Sequence, residues 1–235
     1  MGKRIIARAR GKGSPTYRAP SHRYLGKVEF HPFSKVIGKV MDITHDPGRS
    51  APVAIIRFED GKELLHIAPE GLKVGDIIEY GGKVAVGNIL PLSRIPIGTK
   101  IFCIENFPGS GPKFCRSSGT FALVVGKSEK YVTIQFPSGK TRRLNPNCRA
   151  MVGVAAGSGR IEKPWVKAGK RWHAMHARGK LYPRVKGVVM NPVDHPYGGK
   201  SHRPRPSKTV SRHAPPGAKV GSISPKRVGL KKGKR

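Results

Sequence analysis

The stretch "PVAIIRFEDGKELLHIA", residues 52–68, decides the fold class. Two short apolar runs, 52–58 and 62–68, flank Glu59-Asp60-Gly61, and a turn of this kind ending in Gly suits a tight connection between antiparallel strands. Similar runs lie on either side: "KVIGKVMDI" (35–43) before the hairpin, "GDIIEYG" (75–81) and "KVAVGNIL" (83–90) after it. Strands this short, separated so regularly by Gly and Pro, predict a small β-barrel.

A second series begins after "PLSRIPIGTK" (91–100). "KIFCIEN" (100–106), "TFALVVG" (120–126), "KYVTIQF" (130–136), "KTRRLN" (140–145) and "RAMVGVAAG" (149–157) alternate with "FPGSGPK", "KSE" and "PSG". The turn "FPSGKT" between two alternating runs is another hairpin signal. The chain therefore reads as mostly β, with two small barrels in tandem meeting near Pro91. In "KAGKRWHAMHARG" (167–179) one or two helical turns are expected before Gly179, and the Pro183-Arg184 step stops them.

Charge divides the chain differently. It holds 46 Lys and Arg against 13 Asp and Glu, a formal net charge of +33. Residues 1–30 have eight basic residues against one Glu, 31–150 have seventeen against ten, and 151–235 have twenty-one against two. A globular middle with basic extensions at both ends is expected: 1–34, barrels over 35–90 and 91–160, then 161–235. Blocks of like charge with few apolar residues cannot offset the entropy of ordering, so both extensions are expected to be largely disordered alone. Such a chain attracts polyanions, nucleic acid above all and an anionic membrane surface second. No apolar run is long enough to span a bilayer, and the N-terminus lacks the apolar stretch of a signal peptide. Three widely spaced cysteines, Cys103, Cys115 and Cys148, argue for a reducing compartment. An intracellular polyanion binder is the expectation.

Three kinds of site chemistry compete with that reading. His195 beside Asp194 invites a general-base role, but neighbours in an extended chain point apart, and no nucleophile elbow lies near. His173 with His176, and the spaced His195, His202 and His213, lack the close pairs that structural zinc uses. "GKGSP" (11–15), "GSGPK" (109–113) and "GSGR" (157–160) resemble phosphate loops without the spacing of a nucleotide site, although glycine does let backbone N–H groups approach phosphate.

RNA explains more of the sequence. Residues 160–186 interleave Trp165, Trp172, His173, His176 and Tyr182 with nine Lys and Arg. Rings stack on unpaired bases and guanidinium groups pair with phosphates. The bland alternative is that Trp165 and Trp172 complete the core of the second barrel. No helix-turn-helix or zinc finger suggests duplex DNA reading. Extensions rich in Gly, Pro, Lys and Arg suit the crevices of a folded RNA. Candidate contacts are Arg8, Arg10, Lys12, Arg18, Arg23, Arg49, Arg116, Arg143, Arg160, Lys163, Lys170, Arg171, Trp172, His176, Arg178, Arg184, Lys186, Lys200, His202, Arg203, Arg205 and Arg212.

"GVVMNPVDHPYGG" (187–199) closely resembles the signature of the universal large-subunit ribosomal protein two family. "RGKGSPTYRA" (10–19), "DITHDPGRSAPVA" (42–54), "GNILPLSRIPIGT" (87–99), "FPSGKTR" (136–142), "RAMVGVAAGSGRIEKPWVKAG" (149–169) and "APPGAKVG" (214–221) resemble its archaeal and eukaryotic form. Departures are Val189 where Ala is common, Tyr197 where His or Phe is common, and Lys200 where a third Gly is common. The resemblance implies an OB-like barrel followed by an SH3-like one, with extensions running into large-subunit rRNA. It implies a cytoplasmic ribosomal protein and no enzyme, placed near the peptidyl-transferase centre and the interface with the small subunit, beside other ribosomal proteins. It carries over Asn191, Pro192, Asp194, His195, Pro196, Gly198 and Gly199 as motif positions, with Tyr197 keeping a ring for stacking or packing. No cofactor is implied, with Mg²⁺ approached only through bound rRNA, and neither a membrane nor a second copy is expected as partner. A metal-dependent hydrolase built on the histidine-rich tail and a general single-strand RNA chaperone are the rival functions.

Overall fold

The computed structural model describes residues 2–199, 209–215 and 219–225. The expected hairpin joins β2 (Val53–Phe58) to β3 (Glu63–Ile67). At its turn Gly61 N–H donates to the Phe58 carbonyl (3.0 Å) and Phe58 N–H to the Lys62 carbonyl (2.9 Å), with Gly61 at φ +80°. This is a three-residue connection with glycine in the left-handed region, which an L side chain enters only with strain. β1 (Ile37–Thr44) and β4 (Ile77–Glu79) complete an antiparallel sheet in the order β3-β2-β1-β4. Ile56, Ile67, Ile78 and Phe58 fill its core, joined by Val28 and Phe30 from the approach to β1.

The second half contributes β5 (Ile89–Pro91), β6 (Lys100–Phe102), β7 (Ile104–Glu105), β8 (Pro112–Phe114), β9 (Ala122–Lys127), β10 (Val132–Gln135), β11 (Thr141–Leu144) and β12 (Arg149–Val152). Six of them form a sheet ordered β11-β10-β9-β6-β12-β5, and β7 pairs with β8 in a small ribbon. The 136–140 turn repeats the first: Gly139 N–H meets the Phe136 carbonyl at 2.9 Å, with Gly139 at φ +77°. Leu90, Leu92, Ile95, Ile101, Ile104, Val124 and Ile134 make a separate core. The chain is mostly β, an OB-like followed by an SH3-like domain.

Three sequence expectations need correction. The run 83–90 is not a strand of the first barrel: 83–88 turn on themselves through Ala85 N–H to Lys83 O and Asn88 N–H to Ala85 O, and β5 starts at Ile89 to pair with β12. "KIFCIEN" is not one strand, because Cys103 at φ +51° breaks it into β6 and β7. The turn expected over 107–113 ends early, because Pro112 and Lys113 open β8, which pairs with β7.

The cores meet around Arg149. Its guanidinium pairs with the buried Glu105 carboxylate (3.0 Å) and donates to the His31 carbonyl (2.6 Å), while its backbone N–H donates to the same Glu105 (2.9 Å). Contacts group Pro20–Arg178 into one compact unit, and residues 2–19 with the described residues from Gly179 onward into another. The first unit thus includes Val28, Phe30 and the fully buried His31, as well as α2 (Ala168–His176). In the second unit are α1 (Ile6–Gly11) and a short parallel pair, β13 (Thr209–Val210) with β14 (Ser222–Ile223). All three cysteines are free.

Candidate nucleic-acid interface

Within the unit 20–178, "HDPGRS" (45–50) folds as an Asx turn. Asp46 Oδ1 accepts the Gly48 N–H (2.9 Å) and the Asp46 carbonyl accepts the Arg49 N–H (3.0 Å), as Asp-Pro-Gly favours. Gly48 lies flat on the Tyr24 ring, where a Cβ would come within 2.8 Å. The turn aims Arg49 at the buried Asp46 carboxylate and at the Gly26 carbonyl (2.6 Å). Arg178 donates to the Arg49 carbonyl (3.4 Å), and Arg160 Nε to the buried Ser118 hydroxyl (2.7 Å). Burial first and neighbouring Arg116 second hold the Arg49 guanidinium below its ordinary range, and burial with Arg160 does the same to Arg178. Arg49, Arg116, Arg160 and Arg178 are thus brought together, and Asp46 is the one carboxylate ion-paired with any of them among the described residues. Like charges gathered this way repel, and a bound phosphate chain relieves the cost.

The helix α2 supplies a different kind of surface. None of its residues is buried, and "AGKRWHAMH" contains no carboxylate. Trp172 and His176, four apart on one face, stack at 4.9 Å with an interplanar angle of 16°, and His173 meets Trp172 edge-on at 4.9 Å. Tyr24 Oη donates to the Ala177 carbonyl (2.6 Å) and anchors the helix end. Trp165 and Trp172 are 41% and 42% exposed, so neither completes the second barrel's core. Lys163, Lys170 and Arg171 are exposed around these rings, and so is Arg23. On β11, Arg143 spans the Tyr131 ring at 4.5 Å.

In the other unit, Arg8 and Arg10 lie on α1 and Lys12 follows it; Arg10 donates to the Gly179 carbonyl (3.2 Å) and Arg18 to that of Gly13. The 187–199 motif folds on itself. His195 and Asp194 N–H both donate to the Asn191 carbonyl (3.1 and 3.0 Å), Gly198 N–H to His195 O (2.9 Å), and Gly199 N–H to Met190 O (3.2 Å). The His195 ring packs on Gly187 and Gly198 on the Asn191 carbonyl, so a Cβ at either glycine would overlap its neighbour. Tyr197 closes the loop by donating its hydroxyl to Val220 O (2.7 Å). Lys3, Arg4 and Arg8 line a cleft with residues 192–196. Arg184 and Lys186 are exposed, and Arg212 donates to Ser224 O (3.4 Å). Lys200, His202, Arg203 and Arg205 lie outside the described residues.

This geometry removes the catalytic pair. His195 Nδ1 accepts the Tyr197 N–H (3.0 Å), and Asp194 faces Lys3 Nζ at 3.5 Å. Each side chain is committed to a different partner. Among the described residues no group of three His, Cys, Asp or Glu is placed to hold a metal ion, and no helix is long and apolar enough to cross a membrane. Sequence reasoning missed Lys3 and Arg4 at the motif, and Asp46, Ser118 and Tyr24 behind the cations. The Asp-Pro-Gly turn was the signal available for the last group.

Two family models match the chain, "Ribosomal Proteins L2, RNA binding N-terminal domain" over residues 3–80 and "Ribosomal Proteins L2, C-terminal domain" over 85–219. The chain belongs to the ribosomal protein L2 family. Among similar L2-family proteins, "Large ribosomal subunit protein uL2" of Methanothermobacter thermautotrophicus is 52% identical over 242 residues, covering 99% of this chain and 100% of that protein. The proteins of the same name from Archaeoglobus fulgidus and Methanopyrus kandleri are 52% and 50% identical, covering 99% and 97% of this chain and 100% and 98% of their own lengths. The resemblance read from 187–199 thus extends through the whole L2-family chain, and a ribosomal protein family, not an enzyme family, is what it joins.

Proposed function

We propose that this chain is a structural, non-enzymatic protein of the large ribosomal subunit in the cytoplasm, and that it binds large-subunit rRNA. The observation that carries the reading is the arginine cluster of residues 49, 116, 160 and 178, which has a single paired carboxylate and whose mutual repulsion a bound phosphate chain would offset. The Trp172–His176 stack beside exposed Lys170 and Arg171 adds a platform for an unpaired base. The two barrels, with Val28, Phe30 and His31 packed into the first, serve as rigid bodies, and the basic ends of the chain take their final order on RNA. The motif at 187–199 supports a finer placement near the peptidyl-transferase centre and the small-subunit interface, where the chain assists subunit association. Other ribosomal proteins are neighbours, Mg²⁺ is met only through rRNA, and the chain uses no cofactor, membrane or second copy.

The test is binding of the full-length chain to large-subunit rRNA fragments across a range of salt. A steep log–log dependence is expected, and each of Arg116→Ala and Arg160→Ala should lower the slope by about one or less. An unchanged slope in the double variant would overturn the role of the cluster. Equal affinity for an unstructured oligonucleotide would favour the RNA chaperone instead.

A further inference from the structure

Residues 37–79 run against the charge of the rest. They hold eight Asp and Glu against five Lys and Arg, in a chain whose net charge is +33. On the outer face of the first sheet, Asp42, Glu63 and Glu79 stand with Lys39 and Arg57. Gly38, Val40 and Ile78 point into the core, so Ile37, Lys39 and Ile77 point outward. The register sets Lys39 beside Ile77 and Ile37 beside Glu79, and the bulge at Met41 keeps Asp42 opposite Ile55. Ile77 is 64% exposed and Ile37 44%, with Val74 at 59% in the turn leading to β4. Elsewhere on this face Glu63 is paired with Arg57. Asp42 and Glu79 have no ion-pair partner among the described residues, despite the abundance of cations.

Exposed aliphatic side chains flanked by two unpaired carboxylates, with one lysine, Lys39, between them, suit a phosphate backbone poorly, since it needs an excess of cations. They complement a protein segment that carries apolar side chains between Lys and Arg. We infer that the outer β1–β4 face docks a basic segment of a different protein, with apolar contacts at Ile37 and Ile77 and cations at Asp42 and Glu79. The inference rests on the large-subunit reading for its assembled setting. It makes the unit 20–178 a bridge, with RNA on the arginine cluster and protein on this sheet.

The test places photoreactive benzoylphenylalanine at position 77 of the full-length, tagged chain; the site is exposed, so the fold tolerates it. Large subunits carrying the chain are purified and irradiated, and the crosslinked product is sequenced. The expected product is a peptide of net positive charge from another protein of the subunit, with a yield reduced about tenfold or more by Asp42→Lys with Glu79→Lys. Crosslinks to rRNA, to a second copy of this chain or to an acidic peptide would overturn the inference, and so would no crosslink or a yield indifferent to the charge reversals. A chain absent from large subunits would overturn the large-subunit reading as well, whereas a chain present but crosslinked to rRNA defeats this inference alone.

Discussion

His195 spends its Nδ1 on the Tyr197 N–H and rests its ring on Gly187, which makes it a shape-keeping residue. Gly187→Ala and Gly198→Ala should both open the loop, because their Cβ atoms have no room. Hydrogen exchange of the 194–199 amides should accelerate in each variant, while the thermal unfolding of the barrels stays within about 0.5 kcal/mol of the parent. Trp172 presents the opposite situation, a large ring kept half in water. Trp172→Ala should weaken rRNA binding by about 1–3 kcal/mol in a filter assay, and Trp172→Phe should recover part of it. His66 is the residue that reports on pH. It is enclosed by Phe30, Phe58 and Tyr80, and burial, followed by His31, pushes its imidazole down to about 3. An unfolded His titrates near 6.5, so the neutral ring's contribution is complete above that pH. It is lost as pH falls from about 6.5 toward 3, at up to about 1.4 kcal/mol per pH unit. The Tm difference between pH 7 and pH 4.5 should therefore shrink in His66→Leu.

At the scale of elements, the joint between the barrels depends on one buried pair. Glu105 is fully buried, and it takes two bonds from Arg149, which also reaches His31 O. Glu105→Ala should cost about 3–5 kcal/mol in denaturant unfolding, because it strands a largely buried guanidinium. Nothing in the sequence around Glu105 marks it out, since its partner lies 44 residues away. The strands were far more legible. Period-two runs and Gly-terminated turns located both hairpins, 52–68 and 130–145, because pleat and turn chemistry are local. The errors fell within 83–114: β5 pairs in the second sheet with distant β12, Cys103 in the left-handed region divides β6 from β7, and β8 begins inside a Gly-Pro run. The helix α2 was expected in the right place and is longer than the one or two turns predicted, with no apolar face to signal its extent.

For the molecule as a whole, charge counting pointed to RNA but could not group the cations. Arg49, Arg116, Arg160 and Arg178 come from four distant segments, and only the fold shows them as neighbours with a single ion pair, Arg49–Asp46, among them. The motif at 187–199 reads as a family signature from its residues alone. The physical reason for Gly187 and Gly198 is not legible there, because it lies in their contacts with His195 and Asn191. The central claim is that the chain is a built-in part of the large subunit. Sedimentation of tagged full-length protein from cell lysate through a high-salt sucrose gradient tests it most directly. The protein should remain with the large-subunit peak at salt that strips loosely bound RNA-binding proteins. Recovery in the soluble fractions, with none in that peak, would contradict the account.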